Sequence, residues 1–145
     1  MSRSNYSDDC ENLELWRANV ERTIAGKRGQ ALLKELEAAL TALPDKALIS
    51  EDMARPEDDS VCALGAVCLK RGINKGKDRS TVLKEIAEKF PEGCEAEELA
   101  GEFSISSMLA REITYVNDEH GSSDETPKNR YERVLKWVRE QIVKV

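Results

Sequence analysis

An all-α fold follows from three features of the 145-residue chain. Apolar residues recur at spacings of three and four over most of its length. Glycine or proline closes the segments so marked. No run of useful length alternates with the period of two that a half-buried strand requires. A composition that is 40% hydrophobic and 34% charged, with only four prolines, suits a soluble globular chain and excludes a disordered or collagen-like one. A chain of this length buries roughly two thirds of its unfolded surface without disulfides or metals, so residues 1–145 are expected to form a single compact domain of six or seven helices.

The elements follow in order. The N-terminus, about residues 1–7, is expected to be flexible. Leu13, Trp16, Val20 and Ile24 make one stripe on a helix of about 8–25, with Ser7 or Asp8 as N-cap and Gly26 as its stop. Leu32, Leu33, Leu36, Leu40 and Leu43 mark a second helix over about 29–43, ending before Pro44, so the two form a helical hairpin. An irregular connection over about 44–60 carries Pro44, Pro56 and a run of acids around Ala47-Leu48-Ile49, which drops one anchor into the core. Val61, Leu64, Val67 and Cys68 outline a short buried helix, in which Gly65 implies another backbone passing close by; Gly72 and Gly76 are expected to break it.

From Asp78 or Ser80 as cap, Val82, Leu83, Ile86 and Phe90 define a helix to about 90, stopped by Pro91 and Gly93. A helix-turn-helix-like pair follows near 95–118. Ala100 is the small residue its first helix needs, and Ile105 and Ile113 are the apolar residues after the turn, whereas Ser104 stands where glycine is usual. Residues 118–125 are polar. Thr126-Pro127 then starts a last helix, because proline's missing N–H costs nothing in a first turn, and Tyr131, Val134, Leu135, Val138 and Ile142 give that helix its buried face.

Charge decides among partners. The net charge is −6, but residues 91–125 hold ten acidic residues against Arg111 alone, while 60–90 and 126–145 are each net positive. Positive and negative blocks either fix the packing of neighbouring helices or leave a bipolar surface that steers partners. A helix-turn-helix carrying this charge faces phosphates with carboxylates, so a protein with a basic surface is the expected partner and nucleic acid the weaker alternative. The acidic face expected to make that contact comprises Glu92, Glu95, Glu97, Glu98, Glu102, Glu112, Asp118 and Glu119.

Two basic, glycine-punctuated segments form a second candidate. Lys27 and Arg28, with Lys70, Arg71, Lys75, Lys77 and Arg79, could hold an anion, yet neither segment has the spacing of a P-loop, and cations beside helix ends also answer the helix dipole. The sole histidine, His120, sits in a polar stretch without a recognisable nucleophile. No Cys-x2-Cys pair exists among Cys10, Cys62, Cys68 and Cys94, which are expected to be free thiols. Trp16 and Trp137 fall within apolar stripes and read as core. No catalytic residue, metal site or cofactor is expected. No secretory leader and no apolar run of about 20 residues is present, which points to the cytoplasm and away from a membrane.

Four fragments together carry a resemblance: Trp16 to Ala31 (WRANVERTIAGKRGQA), Val61 to Ala66 (VCALGA), Met108 to Ile113 (MLAREI) with Asn117-Asp118-Glu119, and Thr126-Pro127 ahead of Trp137-Val138. They resemble small uncharacterised proteins encoded in phages and prophages. The resemblance implies a mobile-element protein acting in a bacterial host cell. Its expected function is non-enzymatic binding, with the acidic helical face engaging a basic host-protein surface and inhibiting a defence complex as anti-CRISPR proteins do. The alternatives are a DNA-binding regulator of helix-turn-helix type, acting as a homodimer, and a small enzyme or nucleotide or anion binder built on the basic segments.

Overall fold

The helices end where the sequence places their terminators, at positions 26, 44, 76, 91 and 104. The computed structural model describes residues 13–91, 96–119, 121–122 and 124–143, so the expected flexible N-terminus lies outside the described residues. Among the described residues the chain is all-α. It comprises α1 (Leu13–Ala25), α2 (Lys27–Ala42), α3 (Ala63–Asn74), α4 (Arg79–Lys89), α5 (Ala96–Phe103), α6 (Ser107–Asp118) and α7 (Pro127–Gln141). Their starts are chemically marked. Asp78 accepts from the Thr81 N–H to cap α4, Ser106 from Leu109 to cap α6, and Thr126 from Asn129 to cap α7.

One hydrophobic core runs through all of them except the start of α5. Leu33, Leu36 and Leu40 of α2, Leu64 of α3, Leu83 of α4, Leu99 of α5 and Ile113 of α6 are almost wholly buried together. A satellite of small residues, Ala96, Ala100 and Ala110, lets α5 and α6 approach closely, and Ile105 covers it; this is the role expected of Ala100 and Ile105. Glycine is needed at Gly65, where a Cβ would stand 1.9 Å from the Met53 carbonyl oxygen, so the expected close backbone is the 44–60 connection itself.

That connection is anchored rather than loose. Leu48, Ile49 and Met53 are buried, the Leu48 N–H donates to the Pro127 carbonyl and the Ile49 N–H to that of Val61. It also contains, among the described residues, the one departure from a purely helical chain, an antiparallel pair of two-residue strands, β1 (Ala54–Arg55) and β2 (Ser60–Val61), with Ala54 opposite Val61. A 3-10 turn at Pro56–Asp58 and a left-handed Asp59 join them. Two residues per strand are too few to leave a readable alternation, which is why the sequence conceals them.

Two expectations need correction. Gly72 does not break its helix: α3 continues to Asn74, and a Cβ at 72 would press within 2.7 Å of both methyls of Val82, so this glycine serves the packing of α4 on α3. Ile142 of the last buried stripe is only half-buried and follows α7. At the α1–α2 joint Gln30 acts as a clamp. Its Nε2 donates to the carbonyls of Ile24 and Gln141, and its Oε1 accepts from the Val143 N–H.

Candidate functional site

The acidic segment folds around α6, and its carboxylates meet several different fates. On α5, Glu98 and Glu102 are exposed, with Glu102 held by Lys89 at 2.6 Å. On α6, Glu112 does not belong to the outer face. It falls on the buried stripe with Leu109, Ile113 and Val116, is 3% exposed, and accepts two hydrogen bonds from the Arg17 guanidinium at 3.0 and 2.8 Å, tying α1 to α6. A carboxylate in that setting requires the paired, bidentate geometry it has.

At the end of α6, Asp118 is half-buried and Glu119 exposed. Asp118 Oδ1 accepts from the Asn117 amide at 2.8 Å and from the Glu51 N–H at 3.1 Å, which brings Glu51 against the same corner. Both residues sit at the carbonyl end of the helix, where the dipole adds to their negative potential. Glu92 and Glu95 lie outside the described residues, as does the side chain of Glu97.

Two residues that organise this region escaped the sequence reading. Asn117, 1% exposed, donates to the Ile49 carbonyl and accepts from the Ala63 N–H, so one amide joins α6, the connection and the first turn of α3. Its signal was a polar residue on the apolar stripe of α6. Glu125 is nearly buried and takes a bidentate pair from Arg133 at 2.7 and 2.9 Å, with Arg130 at 3.5 Å; Arg133 also reaches the carbonyls of Val116 and Asn117. Nothing in the spacing of that loop announced a buried carboxylate.

No protein-family profile, curated protein or solved structure matches this chain.

The helix-turn-helix-like pair has the expected turn, with Ser104 in the left-handed conformation at φ 54° where glycine is usual. The Ile105 N–H closes the turn on the Ala100 carbonyl. The second helix is placed differently from a reading helix. Seven of the twelve residues of α6 are buried, and the outer stripe of Met108, Arg111, Tyr115 and Asp118 is half-buried. A helix that enters a major groove needs a broad free face, and α6 packs instead against α1, α3, α5 and α7.

The basic candidates are divided among elements. Lys27 and Arg28 are exposed at the start of α2, whose N-cap Gly26 makes no side-chain bond, and with Ser106 they line a shallow cleft of about 390 Å³. The other five lie on α3, on α4 or between them. Arg71 makes a bidentate pair with Glu35 at 2.7 Å and stacks on the Phe103 ring; Lys77 pairs with Glu85 and Arg79 with Asp59. Lys70 is half-buried and Lys75 exposed. The hydrogen bond from Arg71 holds the Glu35 carboxyl below its ordinary value. Three of the seven cations are thus paired with the chain's own carboxylates.

Burial pushes the Cys68 thiol up to about 12, so it stays protonated and unreactive near neutral pH. Cys62 caps α3 through its sulfur, accepting from the Gly65 N–H. Trp137, expected in the core, is only half-buried and packs against it, while His120, Cys10, Cys94 and the Trp16 side chain lie outside the described residues. Among the described residues no three acidic, histidine or cysteine side chains converge as metal ligands, and no helix is long and apolar enough to cross a membrane.

Proposed function

We propose that the protein is a non-enzymatic binding protein whose acidic surface, formed by the outer side of α5 and the C-terminal end of α6, engages a basic surface on a protein of a bacterial host. The observation that carries this reading is the exposure of several carboxylates on a segment of strongly negative formal charge. Residues 91–125 carry a formal charge of −9, and Glu98, Glu102 and Glu119 are exposed on that segment, while Glu112 is held by Arg17 and Glu125 by Arg130 and Arg133. The face is smaller than the row of glutamates suggests. Glu112 is withdrawn from it, and Glu98, Glu102, Asp118 and Glu119 are its described members. Exposed charge of this kind steers association more than it adds affinity, so capture should be fast at low salt and weaken as salt rises. The resemblance to phage and prophage proteins gives the setting, and occupation of a defence complex's nucleic-acid groove is the activity it favours.

The test is a pull-down from bacterial host extract with the full chain and with Glu98→Lys/Glu119→Lys, both exposed positions. We expect the wild type to retain a basic protein and the reversed variant to lose it while keeping its helical circular dichroism. Equal capture by both would remove the reading. Tight duplex binding with a steep negative salt slope in a gel-shift series would replace it with the DNA-binding alternative.

A further inference from the structure

α7 lies on the flank of the bundle, packed through Tyr131, Val134, Leu135 and Val138 mainly on α2. Its other side is open. A groove of about 680 Å³ runs along it, with Leu135 and Ile142 in its lining, and Val143, just beyond, is one of two exposed large aliphatic side chains among the described residues.

Along that open side runs one row of residues four apart, Lys128, Glu132, Lys136 and Glu140. All four are exposed. The cations of α3 and α4 that pair internally, Arg71, Arg79 and Lys89, contrast with them: no side chain of this row takes part in an ion pair or hydrogen bond among the described residues. Even the pairing within the helix that the four-residue spacing allows is not made.

The signs along the row alternate, and reversing the direction of such a row exchanges them position by position. An antiparallel copy centred on Val134 therefore sets Lys128 opposite Glu140 and Glu132 opposite Lys136, each twice by symmetry. A parallel copy sets like against like. Rows of residues four apart are also the ridges that interlock when two helices cross at about −50°, the commonest helix packing. Shape permits the arrangement, and charge selects it.

We propose that the outer face of α7 docks on the same face of a second copy of this chain, antiparallel, to form a symmetric dimer. The contact is isologous and closes on itself, so it yields dimers and not filaments. One helix pair buries less than the roughly 1,200 Å² of a stable interface, so the dimer is reversible and concentration-dependent. It is independent of the acidic-surface reading, since none of its four charges belongs to that surface.

Sedimentation equilibrium of the full chain over a wide concentration range tests it. The mass should rise from one chain toward two and fall back in about 0.5 M salt, where exposed charges are screened. Lys136→Glu places two carboxylates opposite each other at two symmetric points and should weaken dimerisation about tenfold or more. Glu132→Lys/Lys136→Glu restores the complementarity and should restore the dimer. All three proteins should keep the same helical circular dichroism, because the altered residues are exposed. A single monomer mass throughout, a dimer indifferent to Lys136→Glu, or a double variant as weak as the single one would each overturn the proposal.

Discussion

Gly65 and Gly101 both lie inside helices, yet their surroundings reverse what an added methyl group would do. At Gly65 the methyl would overlap the Met53 carbonyl oxygen, and the obstacle is backbone; at Gly101 nothing lies within 4 Å. Gly65→Ala should therefore destabilise the protein by about 3 kcal/mol, whereas Gly101→Ala should stabilise it by about 0.5 to 1 kcal/mol, both measured by urea denaturation. Glu35 makes a pH-dependent case. The Arg71 hydrogen bond lowers its pKa in the folded state, so its contribution is present above the ordinary value of 4.5 and is lost as pH falls below it. The stability difference between wild type and Glu35→Gln should accordingly shrink between pH 5 and about pH 3. A constant difference across that range would show that the pair contributes nothing through its charge. Gly65 was legible in the sequence because a glycine among apolar helical residues has few other reasons to be there. Glu112 was not, because its bond to Arg17 joins residues 95 positions apart and no local pattern encodes it.

At the scale of elements, the hairpin of α1 and α2, the caps at Asp78 and Thr126 and the start of α7 at Pro127 were readable, since each is written within four or five residues. What was not readable depends on contact at a distance. The continuation of α3 through Gly72 is decided by Val82 on α4, and the strand pair at 54–61 is held in part by Ile49 and Cys62. The α5–α6 turn falls between these cases. Its position was legible, and the structure adds that Ser104 holds a conformation favouring glycine. Ser104→Gly should raise stability by up to about 1 kcal/mol, seen as a higher midpoint in thermal unfolding. A lower midpoint would mean that the serine makes a contribution in the turn that outweighs its backbone strain.

For the whole molecule, the segregated charge blocks of the sequence meet at several points. Glu112 takes its cation from the N-terminal block, Glu102 from the 60–90 block and Glu125 from the last helix, so the acidic segment is stitched to three others. The sequence showed both the blocks and the possibility of their pairing, but only the fold decides which acids are buried. Exposure separates the residues worth reversing in a binding experiment, Glu98 and Glu119, from the buried acids whose loss would disturb packing. Gln30 has an effect of another kind. One amide group grips the end of α1, the end of α7 and Val143 two residues beyond it, so the first and last helices are fastened at a shared knot more than 110 positions apart in sequence. When the final turn of α7 frays, the α1–α2 joint loses its fastening in the same event, and the amides of Val143 and of the last turn of α1 should exchange with solvent deuterium as one cooperative unit.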